Sequence, residues 1–178
     1  MQNNQSAAPE RTDKPIRVGV YETVAAADEA LENLKSRGFT TDEISVFCSE
    51  ELHKEHFEPY TTASEPGAPL ASATAGGALG ATLGGITAAA GLVSTAGIPV
   101  IVAGAMAGVL SGSVVGGLAG AMINRGVEKE SADYFDQAVS DGKILISVEP
   151  TQDTKERLAE AAAALKAAGA HPISLLEG

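Results

Sequence analysis

From Pro66 to Asn124 the chain contains no Asp, Glu, Lys or Arg. That is 59 consecutive residues (124 − 65) without a charge, in a protein whose charged fraction is 20%. Such a run does not arise by chance and marks a separate environment, either lipid or a tightly packed helical interface. Both flanks are ordinary acidic protein. Residues 1–65 carry 13 acidic and 6 basic side chains, and residues 125–178 carry 10 and 6. The pattern predicts a polar, disordered tail (1–15), a first half with its linker (16–65), the uncharged insert (66–124) and a second half (125–178).

Inside the insert, glycine recurs at every fourth position. Gly104, Gly108, Gly112, Gly116 and Gly120 form one series; Gly76, Gly80 and Gly84 form another, with Ala88 in register. Residues four apart lie almost above one another on a helix, so each series predicts a stripe bare of side chains. Two bare stripes let helix backbones approach closely, gaining van der Waals and Cα–H···O contacts. Glycine costs a helix roughly 1 kcal/mol relative to alanine. Close packing, or a medium that forces backbone hydrogen bonds inward, must offset that cost. The expected structure is a glycine-zipper hairpin of helices over about 70–95 and 99–124, turning at Ser94–Pro99. Each helix would span about 40 Å at 1.5 Å per residue, enough to cross a bilayer core of about 30 Å. Arg125 and Lys129 are the first cations after the insert and read as a membrane flank.

The flanks share one grammar. Ile16–Tyr21 alternates as a strand, Thr23 is placed to cap a helix over 24–37, Gly38 ends it, and ISVFC (44–48) reads as a second strand. Later, KILISV (143–148) is a strand, Thr151 or Thr154 starts a helix running to about Ala168, Gly169 stops it, and Ile173–Leu176 is a final strand. Residues 127–140 form an extra helix. Two βαβ halves predict an α+β fold of the ferredoxin-like split βαβ type, with an antiparallel sheet, helices on one face and the hairpin inserted between the halves.

Three stretches carry a family resemblance: VGVYETVAAADEALENLKSRGFTTDEISVF; GGALGATLGG with AGAMAGVLSGSVVGGLAGA; and VEKESADYFDQAVSDGKILISV. Together they resemble the bacterial general stress protein 17M-like family with an inserted glycine-zipper segment. The resemblance covers nearly all of the chain after the first 15 residues. It implies a bacterial, stress-linked, membrane-associated protein, and it supplies no catalytic residues. The segment CSEELHKEHFEPY stands outside that pattern.

That segment holds the sharpest chemical feature of the sequence. Cys48, His53 and His56 fall within nine residues. Thiolate and imidazole are the preferred ligands of zinc, and histidines three apart on a helix share a face. The competing reading is a charged surface turn with Cys48 as a small core residue. Acidic pairs such as Asp42–Glu43 read as solvated faces or helix N-terminal charges, and Tyr134 with Phe135 as the side chains that pack the extra helix on the sheet.

Other functions are disfavoured. A net charge of −11 opposes nucleic acid, which needs clustered cations. No Walker sequence, nucleotide-binding glycine fingerprint or nucleophile–base constellation is present. Residues 1–15 are polar and lack the apolar core of a signal peptide. The expectation is a non-enzymatic protein that associates with membrane lipid or with copies of itself through the hairpin, its acidic domain in the cytoplasm. A soluble cytoplasmic oligomer is the competing form. The alternative function is a ferredoxin-like sensor, or a module binding a small ligand or zinc at Cys48, His53 and His56.

Overall fold

A computed structural model describes residues 15–49, 51–52, 92–95, 98–101, 117–123, 125–152 and 154–170. Their elements are β1 (Arg17–Tyr21), α1 (Val24–Ser36), β2 (Ile44–Phe47), β3 (Leu92–Thr95), β4 (Ile98–Ile101), α2 (Gly117–Ile123), α3 (Lys129–Ser140), β5 (Ile144–Val148) and α4 (Lys155–Ala167). The fold is α+β, built on an antiparallel sheet of order β1-β5-β2.

The helix boundaries follow local chemistry. Thr23 is extended and its hydroxyl accepts from the Ala26 N–H at 3.2 Å, closing the first turn of α1. Thr154 does the same for α4, accepting from the Arg157 N–H. Of the two threonines open to the sequence, Thr154 is thus the cap. The exits match as well. Gly38 and Gly169, both at positive φ, pass the chain out of α1 and α4, while the N–H groups of Phe39 and Ala170 return to the carbonyls of Leu34 and Leu165.

β5 is the centre of the fold. It pairs with β1 from Arg17↔Val148 to Tyr21↔Ile144, and with β2 from Ile44↔Val148 to Phe47↔Leu145. All its residues are buried. This explains why ILISV and ISVF read as nearly continuous apolar runs, since both faces of the sheet are covered. On one face Tyr21, Ile44, Val46, Ile144, Ile146 and Val148 meet Ala27, Leu31 and Leu34 of α1 and Ala161, Ala164 and Leu165 of α4. On the other, Val18, Val20, Phe47 and Leu145 meet Leu118, Ala121 and Met122 of α2 and Ala132, Phe135 and Val139 of α3. The expectation of helices on one face only is therefore corrected. The extra helix and the end of the uncharged insert form a second layer. Phe135 carries the packing of α3, whereas Tyr134 is 49% exposed.

The insert also departs from two uninterrupted helices. Leu92–Thr95 and Ile98–Ile101 pair as antiparallel strands, in register from Leu92↔Ile101 to Thr95↔Ile98. The β-branched content of LVST and IPVI favours extended backbone over the helix ends expected there. A second break follows at Gly117, whose φ is +55°. A right-handed helix over 99–124 would run through that position. Gly120 lies in α2; Gly76, Gly80, Gly84, Gly104, Gly108, Gly112 and Gly116 lie outside the described residues, as does the expected strand at 173–176.

One close approach tests the sheet. The Tyr21 ring folds back over Gly19 on its own strand, and the Tyr21 hydroxyl donates to the Leu165 carbonyl at 3.0 Å. A Cβ at position 19 would stand 2.8 Å from Tyr21 Oη and 3.0 Å from its ring. Tyr21 is fully buried and fastened at its tip, so the ring has no free path away. Gly19→Ala is expected to destabilise the domain by about 1–3 kcal/mol, as overpacking does, measured by urea denaturation.

Candidate functional site

Among the described residues, no group of three His, Cys, Asp or Glu side chains is placed to hold a metal ion. Cys48 continues the inward-facing positions of β2 and is fully buried against the α1–α4 layer. Burial pushes its thiol up to about 12, so it is held as a neutral, packed thiol. His53 and His56 lie outside the described residues. A metal drawing on Cys48 would have to displace that proton inside the core.

Gly120 is half-buried, and α2 turns Leu118, Ala121 and Met122 inward. The glycine position is therefore not what docks α2 on the domain. No helix among the described residues is long and apolar enough to cross a membrane.

The structured polar chemistry gathers where β5 ends and β2 begins. Glu43, in a 3-10 turn before β2, is buried. Its Oε2 accepts from the Thr40 N–H at 2.9 Å and from the Thr40 hydroxyl at 3.2 Å. Its Oε1 accepts from the Thr151 N–H at 2.7 Å, 108 residues away. The Glu43 carbonyl also accepts from the Glu149 N–H at 2.8 Å. Burial alone would raise the pKa of this carboxyl, but the hydrogen bonds from Thr151 and Thr40 outweigh it and the net shift is downward. Thr40-x-x-Glu43 is a capping-box spacing, so the local half of this arrangement was open to sequence reading. Its bond to Thr151 was not. Of the two expected readings, the helix N-terminal charge holds and the solvated face does not: Glu43 lies in the first turn of the 3-10 helix and is a buried tie between the halves.

Beside it, Arg125 donates through Nη1 to Glu149 Oε2 in a buried ion pair. Arg125 is the first charge after the uncharged insert. Burial lowers its pKa from the usual value, which reflects the cost of desolvating a cation. It follows α2 directly, so the pair fixes the C-terminal end of the insert to the end of the central strand. Ser147 shares the Glu149 side of β5 and stands in register with Ser45. Its hydroxyl is buried and makes no hydrogen bond among the described residues. The reading of Arg125 as a membrane flank is corrected, because its guanidinium faces Glu149 inside the protein. Lys129 is exposed and pairs with Asp133 at 2.7 Å. A cation at an insert boundary is a visible signal, but its partner 24 residues later is set by the β5 register.

These ties position structure: they hold an insert at a fixed exit from a two-layered sheet. No protein-family model matches the chain, and no curated protein or solved structure matches it.

Two measurements probe the ties. Glu149→Gln removes a negative charge that faces a buried guanidinium and is expected to cost about 3–5 kcal/mol. Combining Arg125→Met with Glu149→Leu should recover most of that loss in thermal denaturation. Glu43 has a depressed folded pKa, so its contribution is present above the unfolded carboxyl value and disappears as pH falls through the folded one. Glu43→Gln should therefore cost about 1–3 kcal/mol at neutral pH, with the gap to the parent protein narrowing below pH about 4.

Proposed function

We propose that this chain is a non-enzymatic, membrane-associated protein that assembles with copies of itself through its glycine-patterned insert, and that the acidic α+β domain serves as its fixed, cytoplasmic mount. The observation that carries the reading is the insert itself. Fifty-nine residues free of charge, with glycine at 104, 108, 112, 116 and 120, join the two halves of a folded domain. An uncharged run with this spacing suits close backbone contact between copies, and it removes every charge that would oppose contact with lipid.

The mount supports the reading from its own side. β1 and β2 come from the first half and β5 from the second, so sheet pairing ties down both ends of the insert. The domain's own core uses Leu118, Ala121 and Met122 and leaves Gly120 half-buried. We read the domain as ferredoxin-like. The order β1-β5-β2, with α1 following β1 and α4 following β5, accounts for three of the four strands of that arrangement, and residues 173–176 would supply the fourth beside β1. Kinship with the stress-linked family rests on the sequence resemblance alone.

The test is carbonate washing of membranes from expressing cells, followed by sizing in and out of detergent. The parent protein should stay with the washed membranes and run as an oligomer in detergent. Gly112→Leu places a large side chain in the bare stripe and is expected to weaken assembly at least tenfold. Unchanged assembly in that variant would remove the zipper. Release of the parent protein into the soluble fraction as an oligomer would keep the assembly and remove the membrane.

A further inference from the structure

The middle of the uncharged insert stands beside the folded sheet. β4, paired with β3, has Cα atoms within 8 Å of those of β2. Elements stacked on a sheet face lie about 10 Å away, and lateral neighbours about 5 Å, so this is the spacing of a lateral neighbour. Helices cover both faces of the sheet and β5 lies along one edge of β2. β4 therefore stands at the other edge.

The hydrogen-bond phase of β2 shows what that edge requires. The Glu149 N–H donates to the Glu43 carbonyl directly opposite, and antiparallel pairs alternate between bonded and non-bonded. The peptide groups of Ser45 and Phe47 therefore face β5, and those of Ile44 and Val46 point outward. The Ile44 N–H accordingly donates to the Thr41 carbonyl. Val46 is 0% exposed, so its outward N–H and carbonyl are shut off from water. Leaving such groups buried without cover costs as much as a lost hydrogen bond. β4 is the described element on that side. It stays in a sheet of its own with β3. Pro99 has no N–H and leaves β4 one donor short for a further ladder.

A docked middle limits the reach of the insert. Its downstream end is fixed too, since Leu118, Ala121 and Met122 are buried on the sheet and Arg125 is paired with Glu149. Between β4 and α2 lie 15 residues (116 − 101), and between Glu65 and β3 lie 26 (91 − 65). Lipid admits a spanning chain only as helix or closed barrel. At 1.5 Å per residue, a helical excursion out and back reaches about 11 Å for the first and about 20 Å for the second, against a bilayer core of about 30 Å. We infer that the turn of the insert is docked on the β2 edge, and that the insert meets lipid from the domain's side without crossing it. The second half of this inference rests on the membrane reading above.

Two measurements on the full chain test it. The first is residue-resolved hydrogen exchange. The Val46 amide should exchange slowly in the parent protein and at least tenfold faster in Val100→Pro, which breaks the β3–β4 pair. The Ser45 and Phe47 amides, bonded to β5, should stay slow and so report that the variant is folded. An unchanged Val46 amide in that variant would overturn the docking. The second is labelling of sealed right-side-out and inverted membrane vesicles with a membrane-impermeant maleimide. Ala96→Cys in the turn and Glu130→Cys on exposed α3, each with Cys48→Ala, should react from the same face. Reaction of Ala96→Cys from the opposite face, or only after detergent, would overturn the one-sided placement. If the parent protein leaves carbonate-washed membranes, the membrane reading has failed and the one-sided placement fails with it, while Val46 still decides the docking.

Discussion

The structure depends on β5. β1 and β2 do not pair with each other; the strand from the far half of the chain enters between them and pairs with both. Neither half can complete the sheet without the other. Everything between Phe47 and Ile144, including the whole uncharged insert, is thereby closed into a loop whose ends are held by strand pairing. The entropic cost of such closure grows only with the logarithm of loop length, so a long insert is tolerated. A residue on β5 also has two neighbours at once. Val148 stands opposite Arg17 and Ile44, and Ile146 opposite Gly19 and Val46.

Around that strand, the two faces of the sheet have different characters. The α1–α4 face is closed by aliphatic side chains and the fastened ring of Tyr21, and Arg157 of α4 adds a link by lying over the Phe39 ring at 3.7 Å and donating to the Arg37 carbonyl. The α2–α3 face carries the polar row of Ser45, Ser147 and Glu149, with Arg125 coming down from above. A buried ion pair contributes less net stability than an apolar contact of the same size, yet losing one partner is costly. It therefore serves geometry, fixing where α2 ends. The pair stands just beyond α2, where the uncharged insert ends.

Much of this was legible in the residues. Thr23 as a cap, Gly38 and Gly169 as stops, and the apolar period of α1 and α4 follow from interactions within four or five positions; local chemistry settles such features, although it left the cap of α4 open between Thr151 and Thr154. The strand at β5 was visible for the same reason. The layer on the second sheet face was not. Nothing local in residues 129–140 says which side of a sheet the helix will cover; that follows from the alternation of Leu145 and Phe47 across paired strands. Glu43 shows the limit most clearly. Its capping-box half is a spacing of three, while its other half joins Thr151 across the fold.

The sequence alone determined where charge is absent, where glycine repeats and where α1, α3 and α4 lie, because those properties reside in composition and short-range hydrogen bonding. Tertiary structure decided that β5 would sit between β1 and β2, that helices would cover both faces and that Arg125 would turn inward to Glu149. Each of these depends on burial shared between segments distant in sequence. The free energy of hiding an apolar face or a charge is fixed only once its partner is in place.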